Sequence, residues 1–412
     1  MTEITRQHCK DLDAQDPLAA MRDAFHLPEG VIYLDGNSLG AQPKGARAAF
    51  DRTIDVEWRE DLITSWGKAE WFTLPERLGD RLGRLFGAAP GQVVVCDTTS
   101  LNIYKALRAA MGLRPERRVI VSEKASFPTD LYMIEGATMG SDYETRLVEP
   151  EGDIADLIDA DVAAVLLSNV DYRTGRLLDM ERITRLAHEA GALVIWDLCH
   201  SAGVLPMEMD AMGADFAVGC TYKYLNGGPG SPAFIYVAER HQAEARQPLS
   251  GWWGHAAPFA FEAEFRPVEG IRRFLCGTQP ILSMKGVEAA LDVFEGIDMQ
   301  TVRAKSVALC DLFIRLVARH PGCADLRLIT PEAAEERGSQ VSFAFDEGYA
   351  VVRAMIERGV IGDFRAPNVM RFGLAPYYLR YEDMFDAVEI MAECIAARPW
   401  EDSRFAQMAA VT

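Results

Sequence analysis

The chain has 412 residues, 49% hydrophobic and 25% charged, a composition typical of a soluble globular protein long enough for two domains. It carries 61 acidic against 42 basic residues, and this net charge of −19 argues against a nucleic-acid partner, because phosphate binding needs a basic face. No apolar stretch approaches the roughly 18 residues of a membrane helix, and the polar start MTEITRQHCK lacks the apolar core of a signal peptide.

The eight cysteines are scattered along the chain, with no CxxC pair and no matching histidine cluster. Their spacing therefore indicates neither a zinc site nor a disulfide framework, and no metal is expected. Together with the polar N-terminal segment, these thiols lead us to expect a reducing, cytoplasmic setting.

The first 86 residues are expected to be largely helical. Residues 1–30 predict an N-terminal helix, and the segment VIYLDGNSLG at 31–40 predicts a short extended run ending in a tight turn. From 42 to 86 the apolar and aromatic residues recur with helical spacing. Trp58 and Leu62, four residues apart, are expected in the core.

The next stretch combines a buried strand with a candidate phosphate site. Val93–Val95 predicts the strand, and a helix through Met111 follows it. Thr99 and Ser100 fall at the start of this helix, where hydroxyls and free backbone N–H groups form a ready cradle for phosphate. Helix capping would explain one hydroxyl equally well, so both interpretations stay open here.

Two further strands end in polar side chains. Residues 118–121 predict a strand that leads to Phe127 and Asp130, which could flank a ligand or serve as a core residue and a helix cap. Residues 162–167 predict a strand that ends at Ser168. Strands that alternate with helices at this spacing predict right-handed βαβ units and a mainly parallel sheet.

The most informative residues follow two more buried strands, predicted at 192–196 and 216–220. Asp197 and Lys223 come after their carboxyl ends, where ligands bind in open α/β sheets. Pyridoxal 5′-phosphate requires this pair, because a lysine amine holds its aldehyde and a carboxylate keeps its pyridine nitrogen protonated. His200 is placed to lie against the ring. Each residue alone has an ordinary structural explanation, and only the combination favours the cofactor.

Several longer motifs extend this pattern from about residue 30 to about residue 380. They are YLDGNSLG, FPTDLY, WDLCHSAG, CTYKYLNGGPGSPAF, GWWGH and RFGLAPYY. These motifs resemble those of kynureninase, a fold-type I pyridoxal phosphate enzyme of the aminotransferase class V group. One departure is Cys199, where alanine is commoner in that family.

The resemblance implies a hydrolase that cleaves a carbon–carbon bond of L-kynurenine to give anthranilate and L-alanine in tryptophan catabolism, with 3-hydroxy-L-kynurenine as a second candidate substrate. It also implies a homodimer with the active site at the subunit interface. Trp252 and Thr278 match positions that reach the cofactor of the neighbouring subunit. The remaining matched cofactor positions are Thr99, Ser100, Phe127, Asp130, Ser168, Asp197, His200, Tyr222 and Lys223.

Catalytic and substrate-binding roles follow from the same resemblance. Lys223, Tyr222 and Asp197 are the expected catalytic residues, and Tyr222 either transfers a proton or hydrogen-bonds the phosphate. Trp66 matches a position near the substrate ring, although a packed core tryptophan is the alternative. Arg371 lies in an otherwise apolar predicted strand, where a guanidinium needs an anion. An internal salt bridge would supply that anion, whereas the resemblance implies the substrate α-carboxylate.

The expected fold is α/β, with a mainly parallel, seven-stranded type of sheet between helices and a smaller α+β C-terminal domain. We expect an N-terminal arm and helix over 1–50, a large cofactor-binding domain over 51–280 and a small domain over 281–412. The alternative is another class V enzyme, such as a cysteine desulfurase or an aminotransferase. A desulfurase needs a mobile nucleophilic cysteine, and Cys310, Cys323 and Cys394 lie in unremarkable predicted settings.

Overall fold

A seven-stranded sheet forms the centre of the computed structural model, which describes residues 4–405. The expected arm and small domain extend beyond this range, so their residues 1–3 and 406–412 lie outside the described residues. Across the sheet the strands follow the order Val93–Val95, Phe234–Val237, Phe216–Gly219, Leu193–Asp197, Val162–Ser168, Val119–Glu123 and Glu144–Val148.

The sheet is mainly parallel, as expected. Only Phe234–Val237 runs antiparallel to its neighbours, and the other pairings of consecutive βαβ units are parallel. The central strands are continuous apolar runs because helices cover both faces, which removes the alternation of a half-exposed strand. The fold class and the strands predicted in this region are confirmed.

Two apolar layers hold the helices to the sheet. One contains Ile103, Ile195 and Phe216, and the other contains Leu78 and Trp196. The α-helices are Arg6–Asp13, Gly45–Arg52, Ser65–Lys68, Leu74–Gly83, Thr99–Leu113, Pro128–Thr138, Met180–Glu189, Glu239–Gln242, Ile281–Val293, Met299–Arg319, Gly348–Glu357 and Tyr381–Ala396. None of the helices within 4–405 is long and apolar enough to cross a membrane.

A four-stranded antiparallel sheet lies in the C-terminal part of the chain. Its strand order is Arg327–Leu328, Gln340–Ala344, Val369–Gly373 and Asp363–Arg365. The N-terminal segment joins this region, because Ile32–Tyr33 pairs in parallel with Val360–Ile361. A further short pair links Phe25–His26 with Gln42–Pro43. The motif YLDGNSLG is thereby brought next to the strand that carries Arg371.

Two expectations about the N-terminal third are wrong. Among residues 4–30, the α-helix covers only Arg6–Asp13, and the 42–86 segment is broken into several short helical pieces. Trp58 and Leu62 are not core residues, since 57% and 61% of their surfaces are exposed. The helical spacing is interrupted between them, because one helical piece ends at Trp58 and the next begins at Leu62, and neither side chain is covered by the described residues.

Candidate active site

A cleft of about 190 Å³ opens at the carboxyl ends of the central parallel strands. It contains nine of the residues that the sequence singled out, and each comes from the last residue of a strand or from a loop or helix start that follows one. These are Thr99, Ser100, Phe127, Asp130, Ser168, Asp197, His200, Tyr222 and Lys223. Within the described chain, no cluster of three His, Cys, Asp or Glu side chains is suited to a metal ion.

Strand register explains why these side chains converge. Ser168 and Asp197 are direct partners in the parallel pairing of two strands, and Asp197 in turn pairs with Val218. The carboxylate of Asp197 is buried and accepts a hydrogen bond of 2.8 Å from the backbone N–H of Cys199. This bond fixes the carboxylate at the floor of the cleft.

Lys223 and His200 form the second fixed pair in the cleft. Lys223 Nζ lies 3.0 Å from His200 Nε2. Burial, followed by the charges of Lys223 and Arg371, lowers the pKa of His200 well below its ordinary value. The imidazole is therefore neutral at pH 7, and its Nε2 accepts a hydrogen bond from the lysine ammonium. Its buried Nδ1 has no hydrogen-bond partner among the described residues.

Asp130 is a buried acid next to Asp197. Ser168 Oγ donates a 3.1 Å hydrogen bond to its carboxyl group. Burial and repulsion by Asp197 raise the pKa of Asp130 well above its ordinary value. Asp130 is not an N-cap, because it lies in the first turn of Pro128–Thr138, whose N-cap is Phe127.

The start of the helix Thr99–Leu113 forms one wall of the cleft. Thr98 is its N-cap, and its hydroxyl accepts a 3.4 Å hydrogen bond from the Leu101 N–H. Thr99 and Ser100 line the cleft from the first turn. Backbone N–H groups in a first turn have no intrahelical acceptor, so hydroxyls and N–H groups face the cleft together.

Phe127 is a wall of the cleft and not a core residue, since 46% of its surface is exposed. Its ring makes an edge-to-face contact with Tyr172, with the centroids 5.2 Å apart. Tyr172, Thr129 and Val170 also line the cleft, although no motif or residue type in the sequence marks them as site residues. Their signal was position alone, because each lies within a few residues of a predicted site residue. Cys199, noted only as a departure, also lines the cleft.

Arg371 lies behind the cleft and is only 2% exposed. Its Nε donates to Asp363 at 2.7 Å, and its Nη2 donates to the other carboxylate oxygen of Asp363 and to Ser38 Oγ. Its Nη1 donates at 2.8 Å to the backbone carbonyl of Tyr172, a residue that lines the cleft. The internal salt bridge considered for Arg371 is therefore present, and a role toward substrate stays a prediction.

Trp66, Trp252 and Thr278 do not line the cleft of this single chain. The Trp66 ring packs edge-to-face on Trp253, with centroids 5.3 Å apart. Trp252 and Thr278 are exposed, and the Trp252 ring stacks on Trp253 within the short 3-10 turn of residues 252–254. The expected contacts of Trp252 and Thr278 with a neighbouring subunit remain predictions.

The donor set in the cleft fits a phosphorylated pyridine aldehyde. An anionic phosphate suits the helix start at Thr99 and Ser100, and the buried carboxylate of Asp197 suits a protonated ring nitrogen. The lysine amine lies beside an imidazole whose Nδ1 has no partner among residues 4–405. The half-exposed ring of Phe127 offers an aromatic face for stacking.

Comparison with known proteins identifies relatives of the whole chain. The chain is 52% identical over 414 aligned positions to a kynureninase of Burkholderia pseudomallei strain 1106a, covering 99% of this chain and 100% of that protein. It is 51% identical, with the same coverage, to a kynureninase of Pseudomonas fluorescens. A family model described as the kynureninase C-terminal domain matches residues 302–391.

Solved structures show the same fold at low identity. A cysteine desulfurase from Thermococcus onnurineus NA1 aligns with a TM-score of 0.78 and 18% identity, covering 92% of this chain and 98% of that chain. The cystine C–S lyase C-DES, in complex with cysteine persulfide, aligns with a TM-score of 0.77 and 17% identity, covering 89% and 98%. These likenesses show a shared fold and nothing of the reaction, whereas the full-length identity above 50% shows that the chain belongs to the kynureninase family.

Proposed function

We propose that this chain hydrolyses L-kynurenine to anthranilate and L-alanine, with pyridoxal 5′-phosphate as its cofactor. The observation that carries the proposal is the full-length identity of 52% to kynureninases, joined to a cleft in which lysine, acid and phosphate-binding hydroxyls converge. Incubation with L-kynurenine tests it, and chromatography should show anthranilate and alanine appearing in equal amounts. Release of sulfide from cysteine, or amino transfer to a keto acid, would instead support another class V activity.

The proposed cofactor contacts divide the cleft into three parts. Thr99 and Ser100 hold the phosphate, Asp197 pairs with the pyridine nitrogen, and Lys223 holds the aldehyde carbon. When bound, pyridoxal phosphate withdraws electrons from the carbon next to the substrate amine. The hydrogen bond from the Cys199 N–H keeps Asp197 oriented, so the carboxylate needs little reorganisation as charge develops.

Proton transfer is assigned to side chains that already lie in the cleft. Lys223, once free, takes the substrate α-proton, since its Nζ is the only amine among the residues that line the cleft. The neutral imidazole of His200 lies 3.0 Å away and accepts a hydrogen bond from the ammonium that results. A charged His200 would repel that ammonium, so the low pKa of His200 favours the step.

Tyr222 keeps the two proposed roles. Burial and the neighbouring Cys220 raise the pKa of Tyr222 above its ordinary value, so its phenol stays protonated and acts as a donor. Its ring lies 5.8 Å from Lys223 Nζ. A phenolic donor at this position suits proton delivery to the departing carbon and suits a hydrogen bond to the phosphate. Tyr222→Phe would lower kcat alone in the first case and weaken cofactor retention in the second.

A homodimer is proposed from an exposed apolar face. Ile54, Val56, Trp58 and Ile63 expose between 44% and 76% of their surfaces on one segment. A groove of about 450 Å³ adjoins them, lined by Trp58, Trp71, Pro280 and Leu282 among others. Apolar patches of this kind usually mark an interface between proteins. Exposed Thr278 is two residues before Pro280, which lines this groove. A second copy packed on the groove would therefore meet Thr278, in keeping with the proposal that Thr278 and Trp252 serve the cleft of the neighbouring subunit.

The remaining expectations are proposed on the same family membership. We infer a division into an arm, a large domain to residue 280 and a small domain from residue 281, and a cytoplasmic role in tryptophan catabolism. Trp66 and Arg371 are proposed as substrate contacts. 3-Hydroxy-L-kynurenine is the second substrate to compare by kcat/KM.

A further inference from the structure

Cys199 and Cys220 face each other across the two strands that carry the site. Asp197 pairs with Val218, and the Leu198 N–H donates at 2.8 Å to the Val218 carbonyl. Cys199 and Cys220 follow the ends of these two strands, and Cys220 Sγ lies 3.8 Å from the Cys199 carbonyl oxygen. The two thiols also hydrogen-bond each other, so they lie near enough for a disulfide, which needs Cα atoms about 4.4–6.8 Å apart.

One thiol of the pair lines the cleft and the other is buried. Cys199 lines the cleft, with its Sγ 3.7 Å from Thr99 Oγ1, and Cys220 is 2% exposed. Although burial opposes ionisation, the hydrogen bond with Cys199 and the charge of Lys223 hold the pKa of Cys220 below its ordinary value. The same hydrogen bond and burial raise the pKa of Cys199. Cys220 is thus the thiol that ionises first.

We propose that Cys199 and Cys220 form an oxidisable thiol pair, and that an organic hydroperoxide converts it to a disulfide. The thiolate of one cysteine attacks the peroxide oxygen and becomes a sulfenic acid, and the alcohol of the peroxide leaves. The other cysteine then attacks the sulfenic sulfur, the sulfur–sulfur bond forms and water leaves. Two thiols lose two electrons and two protons, and the peroxide oxygens end in one alcohol and one water.

Disulfide formation would disturb two contacts that the cleft needs. It draws the Cys199 sulfur from Thr99 Oγ1 and shifts the backbone N–H that orients Asp197. The expected result is loss of bound cofactor, which dithiothreitol followed by added pyridoxal phosphate would restore. Only the accompanying loss of kynurenine turnover rests on the proposed function; the bond itself does not.

The test treats the holoenzyme with tert-butyl hydroperoxide, quenches it and counts thiols with Ellman's reagent in denaturant. Wild type contains eight cysteines and should keep six titratable thiols. A non-reducing peptide map should show one linked pair, Cys199 with Cys220, lighter by about 2 Da than its reduced peptides. Cofactor absorbance after desalting is the second readout, and neither readout needs a substrate.

Single variants separate this pair from other thiols. Cys199→Ala and Cys220→Ala should each keep all seven of their thiols under the same treatment. Cys394→Ala, which removes a buried cysteine of the C-terminal helix Tyr381–Ala396, should still lose two. Eight thiols remaining in treated wild type, or a map that links Cys96 with Cys276 instead, would overturn the proposal. If the map showed the Cys199–Cys220 link but the untreated holoenzyme did not cleave kynurenine, only the proposed function would be refuted.

Discussion

Arg371 donates from Nε and Nη2 to both carboxylate oxygens of Asp363, so the planar fork of this guanidinium is already engaged inside the protein. The two residues are direct partners on neighbouring antiparallel strands. Arg365 forms an ion pair with the same carboxylate, with Nη2 2.7 Å from Oδ2. One acid therefore lies between two guanidinium groups, and the carboxyl group of Asp35 faces the same two cations.

Replacing Arg371 should weaken substrate binding. Arg371→Lys is expected mainly to raise KM for L-kynurenine, with a loss of about 2–5 kcal/mol, because an ammonium cannot reproduce the bidentate geometry. Steady-state kinetics on the folded, cofactor-loaded variant measures the change in KM. An unchanged KM would show that Arg371 serves Asp363 alone.

Asp363→Asn is the matched control for that experiment. It leaves the guanidinium of Arg371 in place but removes the buried charge that balances it. We expect the free energy of unfolding to fall by about 3–5 kcal/mol, the usual cost of leaving one partner of a buried ion pair. Urea denaturation followed by circular dichroism measures this loss. A change confined to KM, with stability untouched, would contradict the structural role of Asp363.

Lys223 should carry the cofactor. Borohydride reduction followed by peptide mass spectrometry should place the reduced cofactor on Lys223 in wild type and nowhere in Lys223→Ala. Lys124→Ala removes an exposed lysine that pairs with Glu149, and the link should persist in it. Finding the reduced cofactor on another lysine would refute the assignment.

The strands and the cleft could be predicted because short apolar runs ending in polar residues are a local signal. The pairing of Asp363 with Arg371 could not be predicted, because it depends on the register between two antiparallel strands. The sequence shows that Arg371 needs an anion but not which acid supplies it. The exposure of Trp58 could not be predicted either, because helical spacing predicts a shared face but not what covers it. Tyr172 could be connected with the site only once its contact with the Phe127 ring was known.

Asp197→Asn tests the role of the buried acid. The amide is close in size and can still accept from the Cys199 N–H, so the fold should persist, yet it cannot offset a protonated ring nitrogen. We expect kcat to fall on the order of a hundredfold or more. Asp215→Asn removes another buried acid, which pairs with His188 and Arg240, and should alter stability with little effect on kcat. Wild-type turnover in well-folded Asp197→Asn would count against the electronic role.

Asp35 should make stability depend on pH near neutrality. Burial and repulsion by Asp363 raise the pKa of Asp35 to about 7, against about 3.9 in the unfolded chain. Between these values the folded state binds more protons than the unfolded state, so the contribution of Asp35 to stability is lost as the pH rises from about 4 to about 7. The opposing cations that face it are Arg371 and Arg365.

The measurement compares wild type with Asp35→Asn, whose side chain stays neutral throughout. Relative to Asp35→Asn, the free energy of unfolding of wild type should fall as the pH rises through this window, and the difference should become constant above the folded pKa. Urea titrations at half-unit pH steps would follow it. A difference that stays constant from pH 4 to 8 would show that Asp35 ionises normally in the folded state.

Trp58 should contribute to the proposed homodimer. More than half of its surface is exposed beside an apolar groove, and Trp58→Glu would place a charge where a second copy is proposed to pack. Large aromatic residues at interfaces are commonly worth about 2 kcal/mol or more each, and a symmetric dimer loses two of them. Sedimentation at decreasing concentration should show Trp58→Glu dissociating where wild type remains dimeric.

Met139→Glu, which alters an apolar side chain exposed elsewhere, should leave the association unchanged. If Thr278 and Trp252 complete the neighbouring cleft, turnover of Trp58→Glu should fall in step with dissociation and recover at high protein concentration. Full turnover in a monomer would show that each chain works alone.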